Sequence, residues 1–309
     1  MQAVDALLRT QLSSDVPLIR QVAEYVTSVG GKRLRPALTL LAARLLGHQG
    51  THVHEAAAMI ECTHTATLLH DDVVDQSALR RGHKTANALF GNAASILAGD
   101  FLYTRAFQMM LATRNLDVLQ VMATTTNRIA EGEVLQLLNI GNSAITEEQY
   151  LQIIQYKTAQ LFEAACHVGA LAAEANALQI TALSAYGRHL GIAFQIVDDV
   201  LDYRGDAETI GKNLGDDLAE GKPTLPLIYT MRHAEEAQAG VVRCAIAAAD
   251  RQQLPQVLSA MVSCGAFTYA QQMAEKASTC AIEAIEALPA SDAKQAMVEL
   301  ASGVVDRQA

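Results

Sequence analysis

Apolar residues recur at helical spacing along almost the whole chain. A first amphipathic stretch covers 16–29 and stops at Gly30-Gly31. Pro36 suits the first turn of a helix running to about residue 46, which Gly47 ends. Residues 51–75 read as one long helix whose last turn becomes acidic. A polar loop, 76–84, follows, and further helices are predicted over 86–112, 115–138, 146–173 and 178–204. Thr146-x-x-Gln149 has the form of a capping box, which supports a helix start there. After a glycine- and charge-rich loop over 205–222, Pro223 can open another helix. Shorter amphipathic helices fill the remainder to about 305.

Composition strengthens this helical picture. The chain has 309 residues, 50% hydrophobic and 18% charged, and its six prolines leave 37–222 without one. Long helices can therefore run unbroken, and the fold class expected is all-α. No linker-like stretch divides the chain, so one domain over 1–309 is expected. A net charge of −10 argues against a nucleic-acid partner, because phosphate backbones require basic surface. The five cysteines are scattered and lack C-x-x-C spacing, which fits reduced thiols in a cytoplasm rather than zinc or disulfides. Residues 1–20 carry Asp5, Arg9 and Asp15 and do not read as a signal peptide. No uncharged apolar run is long enough for a membrane span, although a lipid substrate remains compatible.

Two acidic clusters of the same form bring in chemistry. They are Asp71-Asp72-Val73-Val74-Asp75 and Asp198-Asp199-Val200-Leu201-Asp202. Residues four apart share a helix face, so Asp71 and Asp75 point one way, as do Asp198 and Asp202. One such cluster alone would read as a solvated acidic helix end. Two copies, each after an apolar turn and before a loop rich in Arg, Lys and Gly, read better as hard oxygen ligands. Mg²⁺ prefers such ligands, with phosphate oxygens completing its shell.

Basic residues stand where an anionic partner would need them. In Gly30-Gly31-Lys32-Arg33-Leu34-Arg35-Pro36 three cations gather at a helix start, where backbone N–H groups and the helix dipole also favour anions. Lys32 can act as a point charge and Arg35 as a planar fork on phosphate. Arg80-Arg81-Gly82 follows the first cluster, and Lys212 and Lys222 flank Asp216-Asp217 after the second. Glu61-x-x-His64 matches half of a di-iron carboxylate site, but no second copy accompanies it. Lys157, Thr158 and Gln195 are by composition polar residues on apolar helices.

Taken together, these motifs resemble the trans-polyprenyl diphosphate synthases, most closely the bacterial long-chain members that make octaprenyl chains. The likeness runs through Gly30 to Pro36, Leu69 to Asp75 with Arg80-Arg81-Gly82, Lys157-Thr158, Phe194 to Asp202, and Gly211-Lys212-Asn213 through Gly221-Lys222-Pro223. It implies an all-α isoprenoid-synthase bundle around a central cavity, usually a homodimer, that joins isopentenyl diphosphate repeatedly to an allylic diphosphate. By the same resemblance, Asp71, Asp72, Asp75, Asp198, Asp199 and Asp202 hold Mg²⁺ on the allylic diphosphate, which Arg80, Lys157, Lys212 and Lys222 also contact. Lys32, Arg35, His64 and Arg81 take isopentenyl diphosphate, and Thr158 and Gln195 lie beside the reacting carbons. Lys84 departs from the family, where many relatives have proline.

Within that family, product length is expected to depend on the residues below the first cluster. Ala66 and Thr67 lie one turn back from Asp71, and Thr63 lies two turns back. Ala66 and Thr67 are small where short-chain relatives carry bulky aromatics. A helix over 51–75 would extend about 36 Å, with Met110 and Met122 as candidates for the floor of a tunnel. The reading reached is a long-chain synthase supplying a quinone side chain. Its alternatives are another chain length, a terpene cyclase, or a non-catalytic subunit of a heteromeric synthase.

Overall fold

With no proline between 37 and 222, the hydrogen-bond ladder of a helix need not break there. The computed structural model of the chain describes residues 1–204 and 214–307. Apart from two strands of two residues each, its regular elements are helical, as expected of an all-α chain. By contacts the chain divides into two compact units, Met1–Thr125 with Leu161–Gly187 and Ile285–Met297, and Thr126–Gln160 with Arg188–Ala284 and Val298–Ala309.

The first unit is built on α1 (Gln2–Gln11), α2 (Pro17–Ser28), α3 (Leu34–Leu45) and α4 (Val53–Val74). A hairpin of β1 (Leu79–Arg80) and β2 (His83–Lys84) precedes α5 (Ala86–Phe90) and α6 (Asn92–Ala112). Helix α4 packs against α1, α3 and α6. Ala56, Ala57, Ala58, Met59 and Ile60 are all buried, so α4 is covered on several sides, as a central helix should be. Its small residues allow neighbouring helices to come close.

The chain continues through α7 (Leu116–Leu138), α8 (Glu147–Ile154), a π-turn (Gln155–Ala159), α9 (Gln160–Ala172) and α10 (Ala177–Arg204). Then come α11 (Asp216–Ala219), α12 (Leu225–His233), α13 (Glu236–Ala248), α14 (Leu254–Cys264), α15 (Ala266–Ala284) and α16 (Asp292–Val305). The core of the second unit gathers Tyr150, Ile153, Ile196, Leu225, Ile228 and Phe267.

Several boundaries differ from the sequence expectation. Residues 1–15 carry α1, whose Val4, Leu8 and Leu12 are buried at one-turn spacing. The loop expected over 76–84 contains the hairpin, with Leu79 opposite Lys84 and Arg80 opposite His83. The helix expected over 86–112 breaks at Gly91, whose φ of 86° is a conformation that favours glycine. The helix expected over 146–173 contains the π-turn. Pro226, not Pro223, occupies the first turn after the second loop, because Thr224 is the N-cap residue. The capping box is present: Gln149 N–H donates to Thr146 Oγ1 at 3.2 Å and Thr146 N–H to Gln149 Oε1 at 2.8 Å.

Candidate active site

In the first unit, α4 remains helical to its last acidic residue. Asp75 N–H donates to the Asp71 carbonyl at 2.8 Å, which keeps Asp71 and Asp75 on one face. Asp72 points elsewhere and is buried. Arg80 donates to its Oδ1 through Nε at 2.8 Å and through Nη2 at 2.7 Å. The hairpin places that arginine. Thr85 donates through its side chain to the Ser77 carbonyl at 2.6 Å, and Asn87 Nδ2 to the Asp72 carbonyl at 3.1 Å, so the loop is tied to the end of α4.

The basic motif folds onto the same helix. Arg33 adopts the left-handed region (φ 48°) as the N-cap residue of α3, and its guanidinium pairs with buried Glu61 and with Asp5. Arg35 lies 4.4 Å above the Phe162 ring, with Nη1 3.1 Å from His64 Nε2. A guanidinium can only donate, so Nε2 must be the unprotonated nitrogen of His64. Burial first, and then the charges of Arg35, Arg80, Arg81 and Arg33, push the His64 pKa well below its usual value. This histidine is therefore neutral, with its remaining N–H at Nδ1. Arg81 donates to the Gly30 carbonyl, and Lys32 is exposed. A pocket lies here, lined by Tyr25, Gly30, Arg33, Asp72, Arg80 and Arg81 among others.

The second unit holds the second cluster on α10. Asp198 and Asp202 are partly exposed, while Asp199 is buried. Tyr150 donates its hydroxyl to Asp199 Oδ2 at 2.6 Å, and Gln195 Nε2 donates to Asp199 Oδ1 at 2.7 Å. Thr158 Oγ1 donates in turn to Gln195 Oε1 at 2.8 Å. Burial, reinforced by Asp217, pushes the Asp199 carboxyl well above the usual range, although the two donors act against the shift. Arg307 Nη1 lies 3.1 Å from Asp198 Oδ1, with its guanidinium 4.6 Å above the Phe194 ring. The Asp217 N–H donates to Asp202 Oδ2 at 3.2 Å, which ties α11 to α10. Lys157 pairs with Glu133 at 2.7 Å and Lys222 with Glu220 at 2.6 Å. Lys212 lies outside the described residues.

Each cluster thus turns its second aspartate inward onto protein donors and keeps its first and last on a different helix face. Hard carboxylate oxygens paired one turn apart suit Mg²⁺, which keeps waters and takes substrate phosphates as its other ligands. Among the described residues no three acidic, histidine or cysteine side chains already converge on one point. An ion that completes its shell from substrate does not need such convergence.

The tunnel candidates all lie in the first unit. Ala66, Thr63, Met110 and Met122 are buried, and Thr67 is partly so. The hydroxyls of Thr63 and Thr67 donate to the carbonyls of Met59 and His64, so the polar groups of both threonines are satisfied within their own helix. Sequence reasoning missed Tyr150, Glu133 and Arg307. Tyr150 lies on α8, 49 residues before Asp199, so no local spacing announces the pair.

A model of the polyprenyl synthetase family matches residues 16–262. Octaprenyl diphosphate synthase of Escherichia coli (strain K12) is 51% identical over 308 residues, covering 99% of this chain and 95% of that protein. The crystal structure of a polyprenyl synthase from Caulobacter crescentus CB15, complexed with calcium and isoprenyl diphosphate, matches at TM-score 0.97 and 42% identity, covering 100% of this chain and 95% of that one. A decaprenyl diphosphate synthase structure from Rhodobacter capsulatus matches at TM-score 0.94 and 45% identity, covering 100% and 96%. These matches carry the all-α isoprenoid-synthase fold across the chain, and the chain belongs to the polyprenyl synthetase family.

Proposed function

We propose that this prenyltransferase makes a long all-trans-polyprenyl diphosphate, octaprenyl in length, by adding isopentenyl diphosphate head-to-tail to an allylic diphosphate such as farnesyl diphosphate. The reaction uses Mg²⁺, and the product supplies a quinone side chain. The whole chain, 1–309, acts as one catalytic domain in a cytoplasmic homodimer. The observation that carries the reading is the repeated arrangement of the aspartates, outer pair on one helix face and inner residue tied to protein donors. Octaprenyl and decaprenyl synthases among the similar proteins favour a long product. No helix among the described residues is long and apolar enough to cross a membrane.

Of the six aspartates expected as Mg²⁺ ligands, Asp71, Asp75, Asp198 and Asp202 would hold the ions against the allylic diphosphate, whereas Asp72 and Asp199, tied to Arg80 and to Tyr150 and Gln195, would be fixed behind them. When bound, Mg²⁺ supplies positive charge to the oxygens of the departing diphosphate. Arg80, Lys157, Lys212 and Lys222 add cationic contacts to the same group, Lys157 exchanging Glu133 for phosphate. Lys32, Arg35 and Arg81 hold isopentenyl diphosphate beside neutral His64. Ionisation of the allylic C–O bond leaves a carbocation, to which Thr158 and Gln195 present oxygen lone pairs. Apolar walls exclude water, which would otherwise capture it. The alkene of isopentenyl diphosphate attacks, and the proton it loses passes to the released diphosphate.

The test is to incubate the purified chain with farnesyl diphosphate, labelled isopentenyl diphosphate and Mg²⁺, and to size the products. Mg²⁺-dependent elongation to about octaprenyl length is expected. No elongation by the chain alone would overturn the catalytic reading in favour of a heteromeric subunit. Ala66→Phe, in the same assay, should shorten the products while condensation continues. Unchanged length would remove Ala66 from the tunnel wall.

A further inference from the structure

The side chains of Thr158 and Gln195 can do their work only if their hydrogen atoms point the right way. A glutamine amide keeps its shape when it flips by half a turn, so packing alone does not decide which end faces where. Here the decision comes from Asp199. Oδ1 of Asp199 takes the Gln195 NH₂ at 2.7 Å, which turns the amide oxygen to Thr158, whose hydroxyl donates at 2.8 Å. The hydroxyl hydrogen of Thr158 is thereby committed, and its lone pairs are what remain for a neighbouring positive centre. The other oxygen of Asp199 is held by Tyr150 at 2.6 Å. Among the described residues these two donors complete the hydrogen bonds of a buried carboxylate.

The backbone is shaped for the same arrangement. Eight residues separate Tyr150 from Thr158, which in an unbroken α-helix is about 80° beyond two full turns. The π-turn at Gln155–Ala159 adds a residue to one turn and brings eight positions back to about two turns. Tyr150 and Thr158 therefore reach the two ends of the Gln195–Asp199 pair on α10. On α7, Gly132 leaves room for this wider turn: a Cβ there would come within 2.6 Å of the Lys157 backbone nitrogen and 2.9 Å of Tyr156 Cβ.

From this geometry we infer that Tyr150 is a positioning residue for the condensation, acting through Asp199 and Gln195 to orient Thr158. The inference rests on the proposed placement of Thr158 and Gln195 beside the reacting carbons. Without the phenol, one oxygen of Asp199 loses its buried donor and the carboxylate can rotate. The amide of Gln195 then loses its fixed direction, and Thr158 loses its acceptor.

The experiment is a double-mutant cycle between Tyr150→Phe and Thr158→Ala, with kcat and KM measured for both substrates alongside the melting temperature. Tyr150→Phe should lower kcat about tenfold with both KM values nearly unchanged. In the Thr158→Ala background the same change should have little further effect. p-Aminophenylalanine at position 150, which keeps a donor in place, should recover most of kcat, whereas p-fluorophenylalanine of similar size should not. That pair carries the test if the phenylalanine variant fails to fold. If Thr158→Ala retains full kcat, the placement of Thr158 is wrong. If Thr158→Ala is impaired but the losses simply add, or the two phenylalanine analogues behave alike, the positioning role is overturned.

Discussion

At the end of α4, the second aspartate of the first cluster meets a guanidinium; on α10, the corresponding aspartate of the second cluster meets a phenol and an amide. Asp72 is thus neutralised by a cation, Arg80, and Asp199 is solvated by neutral donors, Tyr150 and Gln195. The spelling Asp-Asp-x-x-Asp is the same, yet the electrostatic solutions differ. A carboxylate paired with a cation keeps its charge at modest cost, whereas one held by neutral groups in a buried setting is driven toward its protonated form. Shared sequence specifies which face each aspartate occupies, and the neighbours specify what each carboxyl can do.

The largest effects should separate outer from inner positions. Asp71→Asn and Asp198→Asn each remove a proposed metal ligand and should lower turnover about 10³-fold, with extra Mg²⁺ restoring part of the loss. Asp72→Asn and Asp199→Asn should show a weaker Mg²⁺ dependence and a larger drop in melting temperature. Titrating Mg²⁺ against initial rate for the four variants checks this. Equal rescue at inner and outer positions would erase the distinction between them.

A smaller effect is expected from the partners. Arg80→Ala leaves Asp72 buried without its cation. Arg80 is one-quarter exposed, at 25% against 6% for the Asp72 side chain, so water screens part of the interaction. The cost should be about 1–3 kcal/mol rather than the larger figure of a fully buried pair. Denaturant unfolding would measure it. Pairing Arg80→Ala with Asp72→Asn should return part of the loss, because the stranded charge is then gone; a strictly additive result would show that the pair is not a unit.

How much of this could be read from residues alone follows the range of the interactions. The long helix at the first cluster was readable because apolar turns and an acidic last turn are local signals, and it runs over Val53–Val74 against 51–75 expected. The capping box at Thr146 was equally local. The hairpin was missed because strands of two residues have no alternation to detect. The π-turn at Gln155–Ala159 leaves no spacing of its own in an otherwise helical stretch, and its enabling residue, Gly132, lies on another helix. The acidic clusters and the basic residues near them are legible by charge and spacing, whereas Lys157, Thr158 and Gln195 enter only through the family resemblance. The partners of these residues are not legible, since Tyr150, Glu133 and Arg307 become informative only when tertiary packing brings them to Asp199, Lys157 and Asp198.

The smallest effect tests the electrostatic contrast through pH. In the first unit, His64 has its pKa pushed well below the usual value by burial and four arginines. Between that lowered value and about 6.5, the unfolded chain binds more protons at this residue than the folded one. Stability from His64 is therefore full above about pH 6.5 and is lost as pH falls. In the second unit, Asp199 has a raised pKa through burial and Asp217. The folded chain then binds more protons than the unfolded one above about pH 3.9, so this contribution is full below that value and is lost as pH rises through the folded pKa. The two residues should oppose one another on acidification below neutrality. Each can contribute at most about 1.4 kcal/mol per pH unit, so the net slope of the wild type should be shallow. Comparing unfolding free energies from pH 7 to pH 5, His64→Gln should gain relative stability as pH falls. Asp199→Asn should lose it relative to wild type over the same range. A flat difference slope for Asp199→Asn over this range would mean that the buried carboxyl stays ionised down to pH 5, with Tyr150 and Gln195 sufficing to keep its charge.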